Sequence, residues 1–250
     1  MDQRVHRLKP VWLWLTCTMM TCVTFLEPSN GQSSTYAERY SNVWKQYAGA
    51  TCPLPPDSIR HFVYVARDRE LIHDHPFLQI PRFAGAQIMY CWKDLEPEKD
   101  VYDFSMITED YAYLLSKGKK LFIQLQDASF DPERIEVPKY LLTDEYNGGA
   151  SPEFNDDSVA VGWVAKRWNP SVRQRFALLL NALGKEFDRK VEGINLQESA
   201  IEVRHKRDSS FTAARYAEAL KINMLALKKA FPNSITIQYA NFMPGEWLPW

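Results

Sequence analysis

The sequence is poor in cysteine, with four in 250 residues. Cys17 and Cys22 fall in the N-terminal apolar run, which leaves Cys52 and Cys91 for the body of the chain. Two cysteines do not make a disulfide framework, although they can pair in an oxidising compartment. No CxxC pair is present, which removes the usual spacing of a structural zinc site. Lys and Arg form no long run and the net charge is -1, so the electrostatic footprint of a nucleic-acid-binding protein is missing. There is no internal repeat, which excludes solenoids and propellers. The longest uncharged apolar run, residues 11–26, is shorter than the roughly 20 residues a membrane span takes.

That run follows Arg4, Arg7 and Lys9 and ends at Glu27-Pro28-Ser29-Asn30-Gly31. A cationic start, an apolar run and a turn-rich break form the layout of a secretory signal peptide. Residues 1–32 are read as that signal, with an uncleaved N-terminal anchor as the alternative. The mature chain is expected to begin between Glu27 and Thr35 and to be secreted, periplasmic or extracellular. Residues 33–56 form a lead-in with Pro53, Pro55 and Pro56, and residues 57–250 form the main domain.

In that domain short strand patterns alternate with amphipathic helices, which predicts βα units and a parallel sheet. Strands are expected at 61–66, 83–92, 120–126, around 193–198 and at 234–241. Ser105 is expected to cap a helix with Ile107, Tyr111, Leu114 and Leu115 on one face. Asn169-Pro170 reads as an N-cap and first turn, followed by the stripe Val172, Phe176, Leu179, Leu180, Leu183 and Phe187. Thr212 is expected to cap a helix with Tyr216, Leu220, Met224, Leu227 and Phe231 inward. Residues 127–168, rich in proline and aromatics, read as a long functional loop.

Alternation along the strands places amides opposite aliphatics. Helices must cover the aliphatic face, so Gln87, Gln124, Asn195 and Gln238 are expected to face a lumen where amides can satisfy one another. In closed parallel barrels the C-terminal strand ends carry the chemistry. Glu198 ends the fourth strand and is the first candidate for an acid or base, or else a loop-capping carboxylate. Trp92 and Trp247 follow strand ends and are candidate faces for a flat ligand, or ordinary packing under loops. Asp94, Glu96 and Asp127 are secondary carboxylates. His73-Asp74-His75 lies in a loop and makes a weak metal candidate, so no metal is assigned.

Trp92-Lys93-Asp94-Leu95-Glu96-Pro97, followed by Tyr102-Asp103-Phe104-Ser105, resembles the retaining (β/α)8 glycoside hydrolases of clan A, especially the beta-galactosidase-like members. The likeness runs from about Phe83 to Asn241. It implies a TIM-type barrel of α/β class, present over about five βα units as the N-terminal part of a longer domain. It implies hydrolysis of O-glycosidic bonds of a carbohydrate, with no cofactor. The clan's acid/base glutamate maps onto Glu198, where the clan's preceding Asn is Gln197. Asn195, Gln197 and Asn241 would orient substrate hydroxyls, with Trp92 and Trp247 at the sugar. A retaining reaction needs a second carboxylate about 5 Å away, on a seventh strand that this sequence does not contain. A non-catalytic carbohydrate-binding barrel or degenerate enzyme is the alternative.

Overall fold

The computed structural model describes residues 59–244 and, before them, Lys45 alone. The signal or anchor, the lead-in, Cys52 and Trp247 lie outside the described residues. The chain divides into units Met1–Asp57 and Ser58–Trp250, and the second is described here. In chain order it contains β1 (His61–Tyr64), β2 (Phe83–Cys91), α1 (Ser105–Ser116), β3 (Lys120–Gln126), β4 (Ala128–Ser129), β5 (Ala150–Phe154), β6 (Ala160–Ala165), α2 (Pro170–Phe187), β7 (Gly193–Leu196), α3 (Ala213–Ala230) and β8 (Ile235–Gln238).

Strands β1, β2, β3, β7 and β8 pair in that order, all parallel. The expected α/β architecture is therefore present over five parallel strands. Each helix forms because its apolar residues recur at the helical period and its first turn is capped. Asn169 Oδ1 accepts from the Ser171 and Val172 amides at 2.8 and 3.2 Å, with Pro170 at the first position. Thr212 caps α3 through the Arg215 amide. At α1 the capping acceptor is Asp103, which takes the Ser105 amide at 2.9 Å.

The whole α2 stripe is buried, against Ile123 and Ile194 from the sheet. Each such side chain contributes about 1.5–3 kcal/mol on leaving water. Helices α2 and α3 meet at Gly184, where a Cβ would sit 2.1 Å from the Ala230 carbonyl oxygen. Strands β2 and β3 likewise approach so closely that a Cβ on Gly85 would lie 1.8 Å from Lys120 O.

Two helix faces differ from the sequence reading. Leu115 is 57% exposed, while Asp110 is 1% exposed. Asp110 takes both Arg69 nitrogens at 2.9 Å and the Tyr90 hydroxyl at 2.7 Å. The β1–β2 connection contains no α-helix, and this ion pair ties it to α1. On α3, Met224 is exposed and Asn223 is buried. Residues 127–168 do not form a plain loop. They build a second sheet of order β4-β6-β5, antiparallel throughout. Trp163 of β6 donates its indole N–H to Pro132 O, in the segment after β4, at 2.8 Å. Among the described residues no helix is long and apolar enough to cross a membrane.

Candidate functional site

The amide face takes the predicted direction on three strands. Gln87 Nε2 donates to Asn195 Oδ1 at 2.6 Å and approaches Gln124 Oε1 at 3.5 Å. Together with Phe62, Tyr64 and Phe122 these amides line the concave side of the sheet. Asn195 is thus an interior residue, 4% exposed, whose amide is used by its neighbours. The fifth strand has the opposite parity. Asn195 pairs with Ile237 and Leu196 with Gln238, so Ile235 and Ile237 line the concave face. Gln238 instead donates to Gln197 O at 2.6 Å.

Glu198 lies two residues beyond β7, half-buried, where the chain has left strand geometry. That exit removes the parity that would have set it beside Leu196. Its carboxylate accepts the Asn241 Nδ2–H. Asn241 is fixed in turn: its Oδ1 accepts the Ala200 amide at 2.9 Å, and its own amide donates to Ser199 Oγ at 2.9 Å. Asn241 therefore orients Glu198. Beneath it runs a buried network that sequence reasoning missed. Arg167, 4% exposed, donates to Asp127 at 2.9 and 2.5 Å, to the Tyr216 hydroxyl at 2.7 Å and to the Glu198 carbonyl at 3.0 Å. The Tyr216 hydroxyl donates to Ser199 O at 2.9 Å. Burial pushes the Tyr216 phenol up to about 12, with Asp127 adding to the shift against Arg167. The guanidinium stays firmly protonated, because Asp127 and the Tyr216 oxygen outweigh its burial. Its only sequence signal was Asp127, read as a loop carboxylate.

Other sequence candidates sit elsewhere. Trp92 is fully buried, packed edge-on against Phe176 with ring centroids 5.0 Å apart, and donates to Glu96 at 2.8 Å. One helical turn brings Trp92 and Glu96 together. Glu96 then pairs with Arg175 of α2, which also holds Asp100 at 2.9 Å. The W-x-x-L-E-P stretch is accordingly a lock between the β2 end and α2, and Trp92 offers no face to a ligand. Gln197 is 6% exposed and lines a small closed space with Asp127, Arg167 and Asn223. The His73 ring packs on Tyr113 at 4.2 Å, and His75 Nδ1 accepts the Phe77 amide at 3.2 Å. Cys91 is a buried thiol, pushed up to about 12 by burial and by Glu136.

Exposed aromatics replace Trp92 at the rim. Tyr64 ends β1 and Tyr239 follows β8; each is 52% exposed, and both line the concave face. Burial raises the Tyr64 phenol, Gln124 and Arg67 oppose the rise, and the Glu198 charge adds to it. The Tyr64 signal was hidden because the first strand was expected to continue to Ala66.

A second buried carboxylate, Glu153 on β5, is 4% exposed. Its Oε1 accepts the Glu202 amide at 2.8 Å. Burial pushes it up to about 7; the Glu202 amide and Arg167 oppose this, and the charges of Glu202 and Glu198 reinforce it.

No family profile and no curated protein matches the sequence. Solved structures do. A GH5_18 protein of Streptomyces cattleya, solved with GlcNAc, superposes with a TM-score of 0.50 at 11% identity, over 74% of this chain and 45% of that one. A GH5_18 variant of Bifidobacterium longum subsp. longum with bound Manb1-4GlcNAc gives 0.49 at 13% identity, over 73% and 44%. A family 39 glycoside hydrolase of Bacteroides cellulosilyticus gives 0.42 at 16%, over 64% and 27%. The chain spans less than half the length of each of these proteins. At such identities the likeness speaks for fold alone: the five parallel strands match part of a (β/α)8 barrel.

Proposed function

We propose that this chain is part of an extracytoplasmic (β/α)8 glycoside hydrolase in which Glu198 serves as acid/base on a carbohydrate substrate. The observation that carries the proposal is the hold on Glu198. It lies just past a C-terminal strand end, its backbone gripped by Arg167 and its carboxylate oriented by Asn241. Fixing a carboxylate by its surroundings is what proton transfer to a glycosidic oxygen requires. Tyr64 and Tyr239, on the concave face of the sheet, supply apolar faces for a sugar ring. In a retaining reaction Glu198 protonates the leaving oxygen and later activates water, while a second carboxylate attacks the anomeric carbon.

No second carboxylate is assigned to that role among the described residues. Export through residues 1–32 belongs to the same reading. The test assays the product of the complete reading frame on a panel of aryl glycosides and oligosaccharides. Hydrolysis that disappears in Glu198→Gln supports the proposal. Sugar binding without hydrolysis in the unaltered protein hands it to a carbohydrate-binding barrel.

A further inference from the structure

Glu153 has no part in the chemistry just described, yet it is a buried carboxyl directed at the segment that carries Glu198. It lies on β5, in the excursion between β3 and α2. Its Oε1 accepts the Glu202 amide at 2.8 Å, and the next residue, Phe154, donates its own amide to Glu202 O at 3.4 Å. The edge of β5 thereby pairs with residue 202. Four residues earlier, Arg167 holds the Glu198 carbonyl at 3.0 Å. Residues 198–202 are thus fastened at both ends to the excursion and the turn that follows it.

We infer that Glu153 is a positioning residue for Glu198: it docks the segment after β7 on the small sheet, and its carboxyl is electrostatically coupled to that of Glu198. The inference rests on Glu198 being the site carboxylate. The charged and titratable groups facing Glu153 are Arg167 from the turn after β6, Glu198 and Glu202 from the segment after β7, and Tyr216 from α3. Asp127 faces it only through Arg167, to which it is paired. Arg167 is already committed to Asp127, so it does not fully offset a charge on Glu153. Both forms of Glu153 offer the Glu202 amide an acceptor, the carboxylate the stronger one, so that bond opposes the rise caused by burial, while the like charges of Glu202 and Glu198 reinforce it. The excursion that read as a loop thus becomes a support for the segment that carries Glu198.

The test follows the Glu153 side-chain carboxyl by NMR in the complete protein labelled with 13C-glutamate, assigned through its own backbone amide. The wild-type resonance is expected to titrate near neutrality. In Glu198→Gln its midpoint is expected to fall measurably, by several tenths of a pH unit, because a like charge has gone. In parallel, amide exchange at Glu202 is expected to speed at least tenfold in Glu153→Leu and to stay near wild type in Glu153→Gln, which keeps the acceptor. An unchanged Glu153 midpoint in Glu198→Gln overturns the inference, and so does a protected Glu202 amide in Glu153→Leu. The Glu198→Gln measurement leaves Glu153 intact and does not depend on the Glu153 variants folding. A midpoint that falls while the complete protein hydrolyses glycosides equally well without Glu198 keeps the coupling and discards the catalytic reading.

Discussion

Replacing Arg167 with Met should cost about 3–5 kcal/mol, the range for removing one partner of a buried ion pair. Asp127 and Arg167 are 3% and 4% exposed, and two hydrogen bonds of 2.9 and 2.5 Å join them. Taking away the guanidinium leaves a carboxylate in the interior with no counter-ion. It also frees the Tyr216 hydroxyl and the Glu198 carbonyl. Domains of this kind have about 5–15 kcal/mol of stability in all. The loss is therefore about a fifth or more of the total, a fall in melting temperature of roughly 6–20 °C at 2–4 °C per kcal/mol. Arg167→Lys keeps the charge but not the planar fork and should fall between. The assay is urea unfolding of the single variants and of Asp127→Leu/Arg167→Met. Replacing both partners by apolar groups strands no charge, so the double variant should be more stable than the sum of the single losses. A loss below about 1 kcal/mol for Arg167→Met, or strictly additive losses, refutes the claim that this pair holds the Glu198 turn.

Trp92→Ala should destabilise by about 3–5 kcal/mol through an unfilled cavity beside Phe176, measured by thermal unfolding, with Trp92→Phe milder. Gly85→Ala should prevent folding or lower the melting point sharply, because the added methyl meets the Lys120 carbonyl across the β2–β3 ladder; circular dichroism reads the outcome. Stability should fall as pH rises from 4.5 to about 7, because the folded chain holds a proton on Glu153 that the unfolded chain releases. At 1.36 kcal/mol per pH unit the full effect is about 3 kcal/mol. It is complete once pH has passed the folded value, and Glu153→Gln should flatten that slope in urea titrations at several pH values.

The parts legible in the sequence are those set by one element at a time. The α2 stripe from Val172 to Phe187 and the caps Asn169 and Thr212 follow from period and local hydrogen bonding, and the structure reproduces them. The amide cluster of Gln87, Gln124 and Asn195 was legible because strand alternation sorts faces before any contact is known. What failed depends on how separate elements meet. The inward turn of Asp110 is decided by Arg69, forty-one residues away. The parity of β8 depends on register against β7, which a strand's own pattern does not carry. Trp92 was assigned to the rim because it follows a strand. The helical turn that starts there swings it under α2 instead. The Arg167 network was invisible because a buried arginine in a polar segment looks like a surface one until its partner is located.

The central claim is that Glu198 donates and then recovers a proton at a glycosidic bond. Its most direct test is steady-state kinetics of Glu198→Gln in the complete protein, on aryl glycosides with activated and with poor leaving groups. Activated leaving groups need little protonation, so they should keep much of their cleavage rate while poor ones lose most of theirs. Added azide should partly restore turnover, since it attacks a glycosyl-enzyme without a general base. Equal, wild-type rates on both substrate types would make Glu198 a structural carboxylate and contradict the account.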